Sequence, residues 1–538
     1  MSKNDKSEGA TPWSPFRFRR FRWYWSGSLA INLAIWMQNV GAAWMMVTLT
    51  PSPFLVALVQ TAISLPAFFF GLPGGVFADI FDRRRYLMVT QVGMLVMSLV
   101  LVVCAYAGVI TPILLLVLTF CFGIGFALQG PAWYTTQAES VSHQFMPAAM
   151  ALSSVAYSSA RAVGPAIAGG VVAISGIVTV FAICSMLLLF SFLVISLVRS
   201  EERDSGLPPE TLWAGLKGAV RYTRNSDIMW VPLVRTIAFV SAASAVWALL
   251  PVVAADSGGG AGSYGVLLGS IGGGTMFAAL LLPVLRAYLE VNKLIVLACL
   301  AYAGGMLLVA AFPVTWVQGM ALFLSGIGWM CIGTTHLVVI QTAVPPWIRA
   351  RAVAIYMLVF QGSLAIGGAM WGMLADYLGS LQTLNIASAV VLASIFVMNR
   401  FPARQGDESE ATPSSSELPV FTPSDLDPGT GPVAVQVEYQ VERQDRKQFL
   451  VLIRDMGTKR RRNGASFWRI YRDLENPGGY TERFIVDSWS EYLRHQSRAT
   501  QADEILEEMV HSLHSGKAPP KVSHFITERL PSNGGNQH

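Results

Sequence analysis

Apolar blocks of about 20 residues or more recur between residues 23 and 399, and they constrain the fold of this chain more than any other feature. A block of that length can cross the hydrocarbon core of a bilayer as a single helix. Only 13% of the residues are charged, whereas soluble globular proteins carry about 25%. The sequence therefore predicts a multi-pass membrane protein over this part of the chain.

The apolar blocks predict twelve membrane helices. Their predicted bounds are 23–48, 54–78, 86–108, 111–137, 148–174, 177–198, 228–253, 264–288, 293–311, 315–340, 351–376 and 381–399. A polar cytoplasmic loop at 201–227 divides them into a first half at 1–200 and a second half at 228–401, with six helices in each. The predicted fold class for this region is all-α, and glycine or proline inside several blocks is compatible with membrane helices.

Arginine and lysine residues fall on alternate loops. The loops near residues 50, 109, 176, 258, 313 and 379 hold none, and the opposite loops hold many. The positive-inside rule therefore predicts that both termini are cytoplasmic and that the number of spans is even. We call the two ends of the helices the arginine-rich end, which includes Arg83 and Arg349, and the arginine-free end.

The loop at 201–227 contains a helical pattern of its own. Apolar residues between 212 and 220 can share one face of a helix, while Lys217, Arg221 and Arg224 lie elsewhere. An amphipathic basic helix of this kind is typical of a membrane surface. We therefore expect it to lie on the cytoplasmic face of the bilayer.

The charged stretch between the second and third spans carries a motif. GVFADIFDRRR, from Gly75 to Arg85, resembles the signature loop of the major facilitator superfamily. The resemblance implies that Gly75, Asp79, Arg83 and Arg84 form a cytoplasmic gate. In that gate the aspartate contacts the N-terminal end of the eleventh span, predicted at 351–376. A helix N-terminus attracts a carboxylate because it carries about half a positive charge. The alternative is that the arginines set the topology alone.

A second motif lies in the fifth span. RAVGPAIAGG, from Arg161 to Gly170, resembles the antiporter signature of exporters in the same superfamily, and Gly164, Pro165 and Gly169 match it. The resemblance implies that this helix packs tightly against the eighth span, predicted at 264–288, and seals the periplasmic side. Small residues let helices approach closely. Arg161 lies near the middle of the span, where a charge is costly unless it faces protein or water. We assign it to a cavity or an interface, with snorkelling or a structural ion pair as the alternative.

In this superfamily helices 1, 4, 7 and 10 line a central cavity, and here each of them offers polar or aromatic candidates. The candidate cavity residues are Asn32, Trp36 and Asn39 in span 1, Gln129, Trp133 and Gln137 in span 4, Arg235 in span 7, and Trp329 and His336 in span 10. Such residues suit an amphipathic, partly aromatic substrate, and the alternative role is hydrogen bonding between helices. His336 either relays a proton or donates a hydrogen bond, since the ordinary pKa of histidine lies near neutrality.

Proton-driven exporters commonly use a carboxylate in the membrane. No Asp or Glu lies deep within a predicted span, so Glu139, at the cytoplasmic end of span 4, is the first candidate for proton coupling, and Asp376, near the periplasmic end of span 11, is the second. The chain has no G-x-x-x-x-G-K-[ST] motif, which argues against ATP hydrolysis. We predict no cofactor and no metal, because the five cysteines lie inside apolar blocks.

The chain changes character after the last span. Residues 402–431 are rich in Pro, Ser, Asp and Glu and predict a flexible linker. Residues 432–530 predict a cytoplasmic domain with elements in the order β-α-β-β-α-β, including a hairpin at ENPGG, which is the ferredoxin-like α+β arrangement. Residues 531–538 are predicted to form a disordered tail.

This order of elements resembles the antibiotic-biosynthesis-monooxygenase-like domain appended to some exporters of the enterobactin-exporter branch, the transmembrane secretion effector type. The residues that carry the resemblance are Glu438, Tyr439, Trp468, Glu482, Arg483, Ser488, Trp489, His495, Arg498 and Thr500. The parent family forms dimers and includes cofactor-independent and haem-binding enzymes. Because Trp468, His495 and Arg498 form no recognisable catalytic constellation, we expect a dimerising, regulatory or substrate-capturing module, with a homodimer as one form.

The motifs and the span pattern together predict a secondary active transporter rather than an enzyme. We expect it to export a small amphipathic molecule, similar to a siderophore, drug or metabolite, across the bacterial inner membrane by proton-coupled alternating access. Its partners are then the substrate, protons and the lipid bilayer, without nucleic acid. The alternatives are a transporter fused to an active monooxygenase-like enzyme, cofactor-independent or haem-binding, and an importer.

Overall fold

The computed structural model describes residues 13–197, 212–402, 408–414 and 429–527. Within these residues thirteen α-helices precede residue 402, and twelve of them are long. Their bounds are α1 Arg19–Leu49, α2 Pro53–Ile80, α3 Arg83–Tyr106, α4 Pro112–Glu139, α5 Met146–Ser175, α6 Ile177–Leu197, α7 Leu212–Arg224, α8 Asp227–Asp256, α9 Gly260–Tyr288, α10 Val291–Ala311, α11 Thr315–Ala343, α12 Pro346–Leu378 and α13 Ser380–Arg400. The short helix is α7, in the loop between the halves.

Ten helices among the described residues are long and apolar enough to cross a membrane, which makes this a multi-pass membrane protein. The two long helices outside that set, α1 and α5, carry more polar residues, such as Gln38 in α1 and Arg161 in α5. They pack against one another, and the Trp25 indole of α1 donates to the Leu152 carbonyl of α5 at 2.9 Å. Their composition therefore matches helices that face protein more than lipid.

Local sequence signals explain where several helices begin. Ser52 caps α2 by accepting from the Leu55 N–H, and Pro53 follows at the first helical position. Thr111 and Pro112 start α4 in the same way. A hydroxyl cap satisfies a backbone N–H that has no partner inside the helix, and proline lacks the N–H that would otherwise be unpaired there.

The chain divides into two compact units. Unit 1 comprises Met1–Leu207, Leu233–Leu337 and Ala354–Ala403, and holds most of the long helices from both halves. Unit 2 comprises Pro208–Pro232, Val338–Val353 and Arg404–His538. The second unit therefore contains α7 and the arginine-rich ends of α8, α11 and α12 as well as the region after residue 404.

The region after residue 404 contains a small sheet and four helices. Its elements are α14 Glu408–Ala411, β1 Val433–Gln440, α15 Arg446–Asn463, β2 Phe467–Arg472, β3 Gly479–Val486, α16 Trp489–Ser497, α17 Gln501–His511 and β4 Lys521–Ile526. The sheet is antiparallel with strand order β2-β3-β1-β4, and Val433 pairs with both Val486 and Ile526. Two helices, α16 and α17, thus stand where the predicted order has its second helix.

Alternation along β1 decides which face of the sheet is covered. Val433, Val435 and Val437 are buried against the helices, with Phe449 and Ile453 of α15 packed on them, whereas Glu438 is exposed. This is the period-two pattern of a sheet with one face in the core and one face open. The same pattern supplied the strand prediction for this segment.

Candidate functional site

The candidate site is centred on Arg161, midway along α5. Its guanidinium carbon lies 5.5 Å from the ring centre of Trp36 in α1 and 5.2 Å from that of Trp247 in α8. The two indole rings are 6.3 Å apart and belong to different halves of the sequence. The first and second halves therefore meet at one cation and two aromatic rings.

Arg161 has no acidic partner among the described residues, and its Nε is buried without a hydrogen bond. Its neighbours are aromatic: the Tyr157 ring packs edge-on against Trp36, with 6.4 Å between ring centres. A cation over an aromatic face gains about 0.5–2 kcal/mol, which is less than a buried carboxylate partner would supply in Coulomb attraction. Among the described residues, the site is thus a positive charge without a carboxylate partner.

An aromatic row continues from Trp247 into the second half. Trp329 of α11 lies 5.4 Å from Trp247 between ring centres, and Phe360 of α12 and Tyr302 of α10 lie 5.6 and 6.0 Å from Trp329. Trp36, Trp329 and Arg161 were candidates from the sequence, whereas Trp247 was not. A tryptophan in an otherwise aliphatic stretch of a predicted cavity helix was the signal that could have found it.

A cavity of about 20 Å³ lies beside the two tryptophans, with Asn39, Gln60 and Tyr264 in its lining. That volume holds about one water molecule. Trp36, Trp247 and Arg161 are nevertheless partly exposed. The site is therefore reachable at its surface, while the space on the side of Asn39 and Tyr264 is closed.

The helices α5 and α9 pack with their backbones in contact. A Cβ atom placed on Gly169 would lie 2.7 Å from the Gly265 Cα and 2.8 Å from the Ala261 carbonyl oxygen. Only glycine permits such an approach without displacement of the helices. Gly164 is also tight, with 3.0 Å to the Trp36 Cβ, whereas a Cβ on Gly170 would have no neighbour within 4 Å. The glycines of the motif therefore differ in how closely they are packed.

At the arginine-free end, α2 and α12 are joined by a carboxylate. Asp376 accepts hydrogen bonds from the Ser52 hydroxyl and from the Phe54 N–H, each at 3.0 Å. It is exposed and sits at the N-terminus of α2, where a negative charge is favourable. We call this contact the Asp376 clasp. The contact joins α12 to α2, and the proton-coupling role of Asp376 stays a prediction.

The predicted gate motif forms contacts within its own half. Arg84 donates to the carbonyls of Ile195 and Ser196 at the end of α6. A Cβ placed on Gly74 would lie 3.0–3.3 Å from the α4 backbone at Ala127 and Leu128. Gly75 has nothing within 4 Å of that position. Arg84 therefore neutralises a helix C-terminus. The side chains of Asp79 and Glu139 lie outside those the structure describes.

The candidates of α4 are not brought to Arg161. Trp133 is buried beside Leu87 and Ile195, and its ring packs against Tyr24. Gln129 is buried as well, and the Gln137 amide donates to the Tyr24 carbonyl at 3.5 Å. A spacing of four residues defines one helix face but not the neighbour of that face. Here the neighbour is the interior of the first half.

Two further candidates form a separate polar site in the second half. Arg235 is 0% exposed and donates from Nη1 to Asn292 Oδ1 at 3.1 Å, while its Nε and Nη2 have no hydrogen bond. His336 Nδ1 lies 3.1 Å from the Thr236 hydroxyl. In α1, Asn32 donates to the Ser28 carbonyl of its own helix. Hydrogen bonding between and within helices, the alternative considered for these residues, describes these contacts.

In unit 2, the region after residue 404 docks on α7 and on the start of α12. Glu491 of α16 lies 3.0 Å from the Arg221 guanidinium and 2.6 Å from that of Arg498. The Arg498 guanidinium also lies 4.6 Å from the ring centre of Trp347, whose ring packs edge-on against Tyr222 at 5.8 Å. We call these five residues the docking surface.

A buried ionic network holds the core of the sheet region. Glu482 is 0% exposed and accepts from the Trp468 indole at 2.8 Å and from the Tyr439 hydroxyl at 3.1 Å. Arg460 bonds Glu507 at 2.8 Å and lies 3.6 Å from Glu482. Burial acts to lower the pKa of Arg460, but these two carboxylates outweigh it and raise that pKa above its ordinary value.

His495 belongs to the same core. It stacks on Phe484 with 5.2 Å between ring centres. Burial, followed by the charge of Arg460, lowers the pKa of His495 to about 3. The imidazole is therefore neutral at physiological pH. Its surroundings and those of Trp468 are those of packed core residues.

A bundle of long apolar helices, with a cation where its two halves meet, is compatible with a membrane transporter. The family model described as "Transmembrane secretion effector" matches residues 10–532, and the chain belongs to this family of the major facilitator superfamily. The family and the relatives below are transporters, in agreement with the assignment of the chain as a transporter and not an enzyme.

The individual proteins that the chain resembles share only 13–22% of their residues with it. The staphyloferrin A transporter of Staphylococcus aureus (strain NCTC 8325 / PS 47) is 22% identical over 384 residues, which cover 70% of this chain and 95% of that protein. Among solved structures, the nucleoside transporter NupG has a TM-score of 0.57 at 13% identity and covers 72% of this chain and 100% of its own. The xylose transporter XylE from E. coli has a TM-score of 0.56 at 13% identity, with 71% and 96% covered.

Proposed function

We propose that this protein exports a small amphipathic molecule across the bacterial inner membrane by alternating access. The observation that carries the proposal is the backbone contact between Gly169 of α5 and Gly265 of α9. This contact joins the two halves beside the Arg161 site, where the antiporter-like motif places a periplasmic seal. The Asp376 clasp adds a second contact at the arginine-free end.

The proposal includes twelve spans with both termini in the cytoplasm. The state described here is then closed towards the periplasm, since the contacts named above lie between the Arg161 site and the arginine-free end. Gly75, Asp79, Arg83 and Arg84 serve as the cytoplasmic gate in the opposite state. Protons are the proposed coupling ion, with Glu139 as the first candidate and His336 as a further one.

The direction of transport can be tested without knowing the substrate. We expect a deletion strain to retain at least one small molecule that the wild-type strain secretes, and everted membrane vesicles to accumulate that molecule when a proton gradient is imposed. Comparative mass spectrometry of cells and medium identifies the molecule. Lower internal levels in the deletion strain would instead indicate an importer.

The region at 432–530 is, in this proposal, a ferredoxin-like cytoplasmic domain that regulates the transporter. Support comes from the docking surface, because Glu491 of α16 contacts α7 and Arg498, the residue that follows α16, contacts Trp347 at the start of α12. Phe467, Tyr471 and Phe525 are exposed on the sheet face away from the helices, which suits a homodimer through this face. The enzyme alternative has no supporting contact, since Glu482 is already paired inside the core.

Substitution of Arg221 by glutamine is expected to loosen the docking surface. It removes one partner of Glu491, whose side chain is 16% exposed, and partly buried pairs of this kind are worth about 1 kcal/mol. We expect faster hydrogen exchange in residues 489–498 and a two- to fivefold change in the transport rate. The matched control is Arg224→Gln, one turn away and exposed. Equal exchange in both variants would remove the regulatory proposal.

A further inference from the structure

We infer that the transported molecule is an anion with an aromatic or similarly flat apolar part, and that Arg161 binds its anionic group between Trp36 and Trp247. The inference rests on the proposed function, because it assigns the substrate class of the same site. It begins from the charge at the centre of the bundle and not from the substrate of any relative.

The first step concerns the missing counter-charge. Cations away from bulk water are normally paired with a carboxylate or hydrogen-bonded on every side. Arg161 has neither among the described residues: two indole rings and Tyr157 surround it, and its Nε has no acceptor. A positive charge that the protein leaves unneutralised at a helix interface is a site for an external anion.

The second step concerns geometry. The contacts with Trp36 and Trp247 use the faces of the indole rings, so they consume none of the N–H groups of the guanidinium. A guanidinium can offer two parallel N–H donors to a carboxylate or a similar anion. Arg161 as a residue is partly exposed, although its Nε is buried, and an anion would approach it from the exposed part.

The third step concerns the rest of the ligand. Trp36 and Trp247 are partly exposed, whereas Trp329 and Tyr302, which continue the aromatic row with Phe360 at ring-centre distances of 5.4 to 6.0 Å, are buried. An exposed indole ring suits a flat ring, which stacks on it or packs against its edge. The site therefore combines one anion contact with two partly exposed indole rings, which the buried aromatic row adjoins.

The second buried arginine does not offer the same site. Arg235 is 0% exposed and already donates to Asn292. A ligand has no access to it in this structure, whereas Arg161, Trp36 and Trp247 are all partly exposed. The inference is accordingly specific to Arg161.

The test uses two probes of nearly equal shape, 2-naphthoate and its neutral amide, 2-naphthamide. Equilibrium dialysis against the full chain in lipid nanodiscs is expected to show at least tenfold tighter binding of the carboxylate. Arg161→Gln is expected to abolish that preference, and Arg161→Lys to keep part of it. Trp247→Leu is expected to weaken the binding of both probes to a similar extent.

The control variant is Arg400→Gln, at the exposed end of α13, which should keep the wild-type preference. The wild-type protein alone can overturn the inference: it would do so if it did not bind 2-naphthoate, or bound it no more tightly than the amide. Binding does not depend on direction. A preserved preference together with failed export in the deletion-strain experiment would therefore reject the proposed function and leave the anion site standing.

Discussion

The Gly169→Val variant is expected to lose transport, by at least tenfold, while still inserting in the membrane. The valine Cβ would lie 2.7 Å from the Gly265 Cα and 2.8 Å from the Ala261 carbonyl oxygen, so α5 and α9 must separate. Overpacking of this kind typically costs about 1–3 kcal/mol, and more where backbone atoms must move. The seal between the halves would then leak or fail to form. Substrate flux in vesicles, with protein amount measured by blotting, checks the result.

Gly170→Val is the matched control. Gly170 belongs to the same motif and is the next residue, but a Cβ there meets nothing within 4 Å. From the motif alone, the two substitutions should have the same effect. From the α5–α9 contact, only the substitution of Gly169 should reduce transport. Equal loss of transport in both variants would show that the α5–α9 contact is not the reason that the motif needs small residues.

Replacement of Glu482 by alanine is expected to destabilise the region at 433–526 by about 3–5 kcal/mol, the cost of breaking a buried ion pair on one side. The change leaves the Trp468 N–H and the Tyr439 hydroxyl without their acceptor and removes one of the two carboxylates beside Arg460. Since whole domains are stable by only about 5–15 kcal/mol, much of the protection against hydrogen exchange should disappear there. Exchange measured on the full chain by mass spectrometry gives the answer.

Glu438→Gln provides the control for that experiment, because Glu438 lies on the exposed face of the same sheet and should change stability by less than about 0.5 kcal/mol. If the domain is regulatory, Glu482→Ala retains transport, at an altered rate. Complete loss of transport in a correctly inserted protein would mean that the domain is required for transport itself. Unchanged exchange would refute the assigned role of Glu482 in the core.

The helices were largely predictable because each apolar block and its caps act locally. Ser52 with Pro53, and Thr111 with Pro112, mark helix starts in the sequence as they do in the structure. The amphipathic pattern of α7 and the alternation of β1 are equally local. Ten of the helices are apolar enough to cross a membrane by composition alone, whereas α1 and α5 contain more polar residues.

The site was less predictable, since it depends on which helix faces which. Arg161 and Trp36 were candidates, but nothing local in the sequence links either to Trp247. The face of α4 that carries Trp133 was predicted to line a cavity; in this structure Trp133 packs inside the first half, and its cavity role stays a prediction. Asp376 was considered for its charge, while its location at the start of another helix gives it a different contact.

The double contact of Arg161 links occupancy of the site to the energy balance of the whole transporter. One ring comes from each half, so a rocking of the halves that separates Trp36 from Trp247 must take the guanidinium away from at least one of them. A ligand shifts a two-state equilibrium only through a difference in its affinity for the two states. An anion that replaces the lost ring contact has that difference. The empty carrier would then rest in the described state, and loading would release it.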